Sequence, residues 1–228
     1  MFGKTIFTNT YEMSQKKVLV TGFGPFHPYK ENASWEGVRK MNESRLGADI
    51  SLCTSEIAVR YKEVDRLIPE LYRKFQPHFA MHVGVSDTPP ECFYLESKAN
   101  KPGTVEYLDD EAKERPVPDV SYQRLRDYMT TSLDVHSICK EFNHMFCGTE
   151  LEAVPSNDAG RYLCEYIYYK SLCLGPALFV HVPSTKYSYD EIANGLESIL
   201  KLCVKQLYTR NDYSTPSLFQ SCWGRLPV

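Results

Sequence analysis

The sequence predicts an α/β protein whose sheet is covered by helices on both faces. Short apolar, β-branched runs alternate with stretches that set their apolar residues on one helical stripe, and the alternation continues through most of the chain. Composition bounds the expectation. Of 228 residues, 43% are apolar and 24% charged, near globular averages, so a sizeable core can form without external staples. No abrupt change of composition divides the chain, and one domain is expected.

In order, Lys17 to Thr21 (KVLVT) reads as a buried strand that feeds the loop Gly22-Phe23-Gly24-Pro25-Phe26. Asn32 precedes Ala33-Ser34-Trp35 as a cap, and a helix follows to about Met41. Ile50 to Val59 alternates as a strand, and Tyr61 to Phe75 places Val64, Leu67, Ile68, Leu71 and Tyr72 on one side of a helix. Phe79 to Val83 is a third strand. From Ser86 to about Val120 the periodicity disappears, and Lys101 to Asp119 is dense in Asp, Glu, Lys, Pro and Gly, which reads as an excursion from the core. Regular patterning resumes with a helix from Val135 to Phe146, a strand from Leu151 to Val154, a helix from Ala159 to Leu172, a strand from Ala177 to Val182 and a last helix from about Tyr189 to Tyr208. Residues 1–15 read as a loose leader, 16–208 as the α/β domain, and 209–228 as a tail with no clear period.

Several functional classes are disfavoured. The net charge of -3 provides no basic field for a nucleic-acid backbone or an anionic membrane. No apolar run is long enough to span a bilayer, and Met1 to Gln15 lacks the apolar core of a signal peptide, so a cytoplasmic protein is expected. Eight cysteines are scattered without a CxxC pair, which argues against a disulfide framework or a zinc cage. No metal and no cofactor is expected.

In α/β sheets the ligand crevice lies beyond the carboxyl ends of the strands, which directs attention to Gly22–Phe26, His82–Glu96, Ser156–Cys164 and His181–Ser184. The first matches a dinucleotide loop poorly: His27 stands where the third glycine belongs, and Pro25 removes a donor. Phe23 and Phe26 either wall a pocket for a flat uncharged group or plug the top of the core. His82 and His181 each end a strand, where an imidazole bonds locally or faces the crevice. Cys164 ends a polar cluster that runs into a helix. With Asp158 as the cap it sits in the second turn, where the helix field has faded and an imidazole must supply most of the activation. Its plain alternative is a packed thiol beside Leu163 and Ile167.

The runs VLVTGFGPF, NASW, EIxVxY and RLIPxL around Tyr61, HVGVS, DAGRYLC and FVHVP, in this order and spacing from Lys17 to His181, resemble the pyroglutamyl-peptidase I (pyrrolidone-carboxylate peptidase) family of cysteine peptidases. The resemblance implies a single three-layer α/β/α domain with a twisted, mostly parallel, mixed central sheet. It also implies a Cys, His, Glu site: Cys164 in DAGRYLC as nucleophile, His181 in FVHVP as general base, and His82 as a strand-end residue. For the carboxylate, Glu91 and Glu96 both follow the HVGVS strand, and Leu95-Glu96 with Asn100 keeps the family pattern best. Bacterial members carry an Arg directly after this Glu, where this chain has Ser97 and Lys98. The substrate residues carried over are Phe23 and Phe26 as the aromatic pair, Asn32 as a polar pocket residue, Val85 where bacterial members have Gln, and Tyr162 as a family aromatic.

The implied reaction is cleavage after an amino-terminal 5-oxoproline (pyroglutamate) of peptides through a thioester. The implied partners are such peptides, with neither nucleic acid nor membrane. A catalytically impaired peptide-binding homologue on the same scaffold is the alternative, and nucleotide binding a distant third.

Overall fold

The computed structural model describes residues 15–26, 30–101, 108–109, 113–116 and 125–211. The expected leader up to residue 14, residues 102–107, 110–112 and 117–124 of the expected excursion and its continuation, and the tail from residue 212 lie outside the described residues.

Eight strands and five α-helices are described: β1 (Lys16–Phe23), α1 (Ala33–Lys40), β2 (Ile50–Ile57), α2 (Tyr61–Phe75), β3 (Phe79–Val85), β4 (Phe93–Glu96), β5 (Lys98–Asn100), β6 (Tyr128–Thr130), α3 (Val135–Met145), β7 (Ala153–Ser156), α4 (Leu163–Leu174), β8 (Ala177–Val182) and α5 (Tyr189–Asn211). Six strands form one sheet in the order β2-β1-β3-β8-β4-β7. Neighbours run parallel except β4 and β8, which are antiparallel. The sheet is therefore mostly parallel and mixed, with helices on both faces, as expected.

The reason for the two-sided cover is visible in the strands. β3 and β8 are buried at almost every position, so both of their faces need an apolar partner. Val18, Val20, Met81, Leu178 and Val180 face the cluster built with Val38 of α1, Ile138 and Phe142 of α3, and Ile192, Leu196 and Ile199 of α5. Leu19, Ala80 and Phe179 face the other cluster, with Val64 and Ile68 of α2 and Tyr166, Ile167 and Tyr169 of α4. Asn32 caps α1 as expected, its side chain accepting from Ser34 N.

Two expectations need correction. The stretch after Ser86 is not wholly an excursion. Phe93–Glu96 is a strand between β8 and β7, and Phe93 and Leu95 are fully buried. β5 then pairs with β6 in a separate two-stranded ribbon. Short strands that are apolar on both faces have no alternation to read, and their partners lie up to almost ninety residues away in sequence. Within the charged stretch, Asp109 is buried at the start of α2: its carboxylate accepts from Tyr61 N (3.2 Å) and Glu114 N (3.1 Å). The second correction concerns where α4 begins.

Candidate active site

The helix expected from Ala159 starts four residues later. Tyr162 is its N-cap, with extended backbone and no side-chain capping bond, and Leu163 is its first residue. Asp158 instead closes the preceding turn, accepting from Gly160 N (3.1 Å) and from Arg161 (2.8 Å), while Gly160 adopts φ +87°. That left-handed residue interrupts any helix through 159–161. The chemical consequence is large for a small shift. Cys164 occupies the second position of α4, in the first turn, where N–H groups lack intrahelical acceptors and the positive end of the helix dipole lies.

The thiol, half-buried, lies over β3. A Cβ built on Gly84 would come 2.8 Å from Cys164 Sγ and 2.8 Å from the Phe179 ring. Gly84 pairs in register with His181 of β8, so the sulfur and the imidazole meet across neighbouring strands. His181 is 7% exposed, and its ring packs on Phe179 at 4.7 Å between centroids, next to the Cys164 thiol that acts on its titration.

On its other side, His181 Nδ1 lies 2.8 Å from Glu96 Oε1, and Glu96 is 1% exposed. Burial alone lowers the His181 pKa, but the thiol and then the carboxylate outweigh it, raising the pKa from 6.5 to about 9. The arrangement therefore favours an imidazolium beside the sulfur. Glu91 is exposed, and its backbone oxygen accepts from Lys186 Nζ (2.7 Å) and Tyr187 Oη (3.5 Å). Of the two carboxylates weighed from sequence, Glu96 is the one beside the imidazole.

His82 sits elsewhere. It is fully buried between Thr21 (2.7 Å from Nδ1) and Ser171 (2.6 Å from Nε2), and burial pushes its pKa down to about 3. It is a neutral imidazole with both nitrogens engaged inside the core, and it stands midway along β3, not at the strand end where the sequence puts it.

The expected substrate residues divide. Phe26, Asn32 and Val85 line a cavity of about 590 Å³ at the carboxyl ends of the strands, together with Asp87, Ser184 and Tyr189. Asn32 bridges it to the first loop: Oδ1 accepts from Ser34 N and Ser34 Oγ, and Nδ2 donates to Gly24 O at 2.9 Å. Phe23 and Tyr162 do not line this cavity. Phe23 belongs to β1 and is 5% exposed in the cluster beside α2 and α4, close to the plug reading. Tyr162 packs edge-on to Tyr61, with centroids 6.0 Å apart. Gly84, Asp87, Ser184 and Tyr189 went unremarked as individual residues in the sequence, and the signal that finds them is position: each lies at or just past a strand's carboxyl end, or at the helix start that follows.

Comparison with known proteins identifies the family. The family model described as pyroglutamyl peptidase matches residues 16–184. Pyroglutamyl-peptidase 1 of Homo sapiens is 34% identical over 194 residues, covering 83% of this chain and 90% of the relative. Among solved structures, pyrrolidone carboxyl peptidase from Thermococcus litoralis superposes with a TM-score of 0.74 at 20% identity, covering 89% of this chain and 100% of that one. Pyroglutamyl peptidase I from Bacillus amyloliquefaciens gives 0.71 at 24% identity, covering 84% and 98%. These two likenesses speak to the fold.

Proposed function

The chain belongs to the pyroglutamyl-peptidase family, a cysteine peptidase family that removes amino-terminal pyroglutamate, and from that premise we propose that Cys164, His181 and Glu96 are its catalytic residues. The observation that carries the assignment is the 2.8 Å contact of His181 with the buried Glu96, with the Cys164 sulfur in the first turn of α4 and seated over Gly84, the register partner of His181.

Because Glu96 holds Nδ1, Nε2 is the nitrogen left for proton transfer. The Cys164 thiolate attacks the pyroglutamyl carbonyl carbon, and the oxyanion develops near the N–H groups of α4's first turn, which Tyr162 does not cap. His181 gives its Nε2 proton to the departing amine, the C–N bond breaks, and a thioester remains. Water then attacks the thioester carbon while His181 takes up its proton, releasing pyroglutamate and the free thiol. Glu96 keeps the ring oriented and balances the imidazolium charge.

Phe26 and Val85 offer the lactam an apolar wall in the cavity at the carboxyl ends of the strands. A lactam has no ammonium, so such a wall suits it. The substrates are accordingly peptides with amino-terminal pyroglutamate. Among the described residues no helix is long and apolar enough to cross a membrane, and the seven described cysteines are all free thiols, which supports a reducing, cytoplasmic setting.

The test is release of coumarin from a pyroglutamyl conjugate by wild type and by Cys164→Ser, with an alanyl conjugate beside it. Turnover of the pyroglutamyl compound alone, abolished by the substitution, is expected. A folded wild type that binds pyroglutamyl peptides without cleaving them, or one that cleaves both conjugates equally, overturns the assignment.

A further inference from the structure

We infer that Tyr168 is a positioning residue for the reaction: helix α4, which carries Cys164, also grips the strand end that carries Glu96, through Tyr168 and, one turn earlier, through Glu165. The inference rests on the catalytic reading above.

Glu96 is the last residue of β4, and the chain leaves the main sheet immediately after it to form the β5–β6 ribbon. A strand's terminal residue has fewer ladder bonds than its middle, so its direction needs outside support. α4 supplies that support on both sides of the departure. Tyr168, fully buried, donates from its hydroxyl to the carbonyl oxygen of Glu96 at 2.8 Å. Glu165, 1% exposed, accepts with Oε1 from Asn100 N (3.0 Å) and Asn100 Nδ2 (2.6 Å) at the end of β5. Ser97 N also reaches Ser156 O of β7 at 2.7 Å, but that bond orients the strand within the sheet and does not tie it to the nucleophile's helix.

Helical spacing gives the grip its meaning. Tyr168 follows Cys164 by four residues, so the two side chains leave the same face of α4 one turn apart. The Tyr168 ring also packs on Phe179 (6.0 Å), which packs on His181 (4.7 Å). The sulfur, the ring beneath the imidazole and the backbone of the carboxylate are therefore referred to one rigid element. A phenol hydroxyl in a fully buried site is also costly to leave without an acceptor, and here the acceptor is the backbone of Glu96.

The experiment uses the full chain and reads the site without turnover: alkylation of Cys164 by iodoacetamide near neutral pH, resolved from the other cysteines by peptide mass spectrometry. It compares Tyr168→Phe, Asn100→Ala and Glu96→Gln, and the first two each combined with Glu96→Gln. Tyr168→Phe is expected to slow alkylation about ten-fold, in the same direction as Glu96→Gln, and to add almost nothing on top of Glu96→Gln, since both act through one carboxylate. Asn100→Ala is expected to act in the same direction by less, and it carries the test should Tyr168→Phe not fold. The inference is overturned if the folded variants alkylate as wild type does and lose only thermal stability, or if their effects add in full to that of Glu96→Gln. Failure of the catalytic reading itself looks different: wild type then leaves the pyroglutamyl coumarin intact, while the alkylation comparison still reports on the three side chains.

Discussion

Glu96 reaches His181 diagonally across an antiparallel strand pair. Tyr94 stands opposite His181 and Glu96 opposite Phe179, yet Glu96 Oε1 closes to 2.8 Å from Nδ1. Diagonal neighbours lie about 7–8 Å apart at their backbones, within reach of a long side chain and beyond that of a short one. Glu96→Gln, which leaves the shape and removes the charge, is expected to lower kcat about 10²-fold or more, as loss of the orienting acid does in such triads. Glu91→Gln leaves kcat at the wild-type value, because only the backbone of Glu91 is engaged. Equal losses in the two variants would contradict the assignment of the carboxylate.

The pH dependence follows from the same contact. His181 is raised from 6.5 to about 9 by Cys164 and Glu96 against its burial. Its proton is therefore retained as pH rises past the ordinary imidazole range, and kcat/KM is expected to fall only as pH passes through about 9. A raised pKa stabilises the folded state fully below about 6.5, and that contribution is lost as pH climbs through about 9. Glu96→Gln moves the alkaline limb of kcat/KM to lower pH. An alkaline limb near 6.5 in the wild type sinks this account.

Gly84 tests how closely the sulfur is seated. A methyl there meets Cys164 Sγ and the Phe179 ring at 2.8 Å each, closer than packed carbon and sulfur tolerate. Gly84→Ala is expected to cost about 1–3 kcal/mol of stability from overpacking and to lower kcat about ten-fold or more by moving the nucleophile. Denaturant unfolding and coumarin release measure the two effects separately. Wild-type kcat in a folded Gly84→Ala protein shows that the thiol moves without consequence.

How much of this was legible in the sequence depended on whether the signal was local. α2 is found at the residues its stripe marks, Tyr61–Phe75, because one face of a surface helix writes itself into a 3.6 period. β4 had no such trace: Phe93, Leu95 and Glu96 are all buried, and only pairing with β7 and β8 makes the segment a strand. The start of α4 was misplaced because Asp158 looks like a cap, yet it serves a turn that Gly160 completes, and the true cap, Tyr162, uses no side-chain oxygen. Cys164, His181 and Glu96 were reachable through a resemblance in motif order. Their meeting was not, since it rests on the register of β3 against β8 and of β4 against β8. The grip of Tyr168 on Glu96 likewise has no counterpart in any spacing along the chain.

His82 supplies a prediction opposite in sign to that of His181. His82 lies midway along β3 and His181 next to last in β8, but His82 has Thr21 and Ser171 on its two nitrogens and no carboxylate in contact, so burial alone governs it and holds its pKa near 3. Above about 6.5 it is neutral whether the chain is folded or unfolded, and it contributes nothing to the pH dependence of stability. Below that value the unfolded chain binds a proton that the folded one refuses until about 3, so stability drains away as pH falls across this window. Carboxylates freed from ion pairs act in the same direction, which is why the useful quantity is a difference between proteins. His82→Gln is expected to be less stable at neutral pH by about 1–3 kcal/mol, since one of its two hydroxyl partners loses its bond. The gap to wild type then narrows steadily as pH is lowered from about 6.5 towards 3. Urea unfolding of both proteins across that range measures it, and a gap that stays constant shows that the buried imidazole is not what the acid attacks.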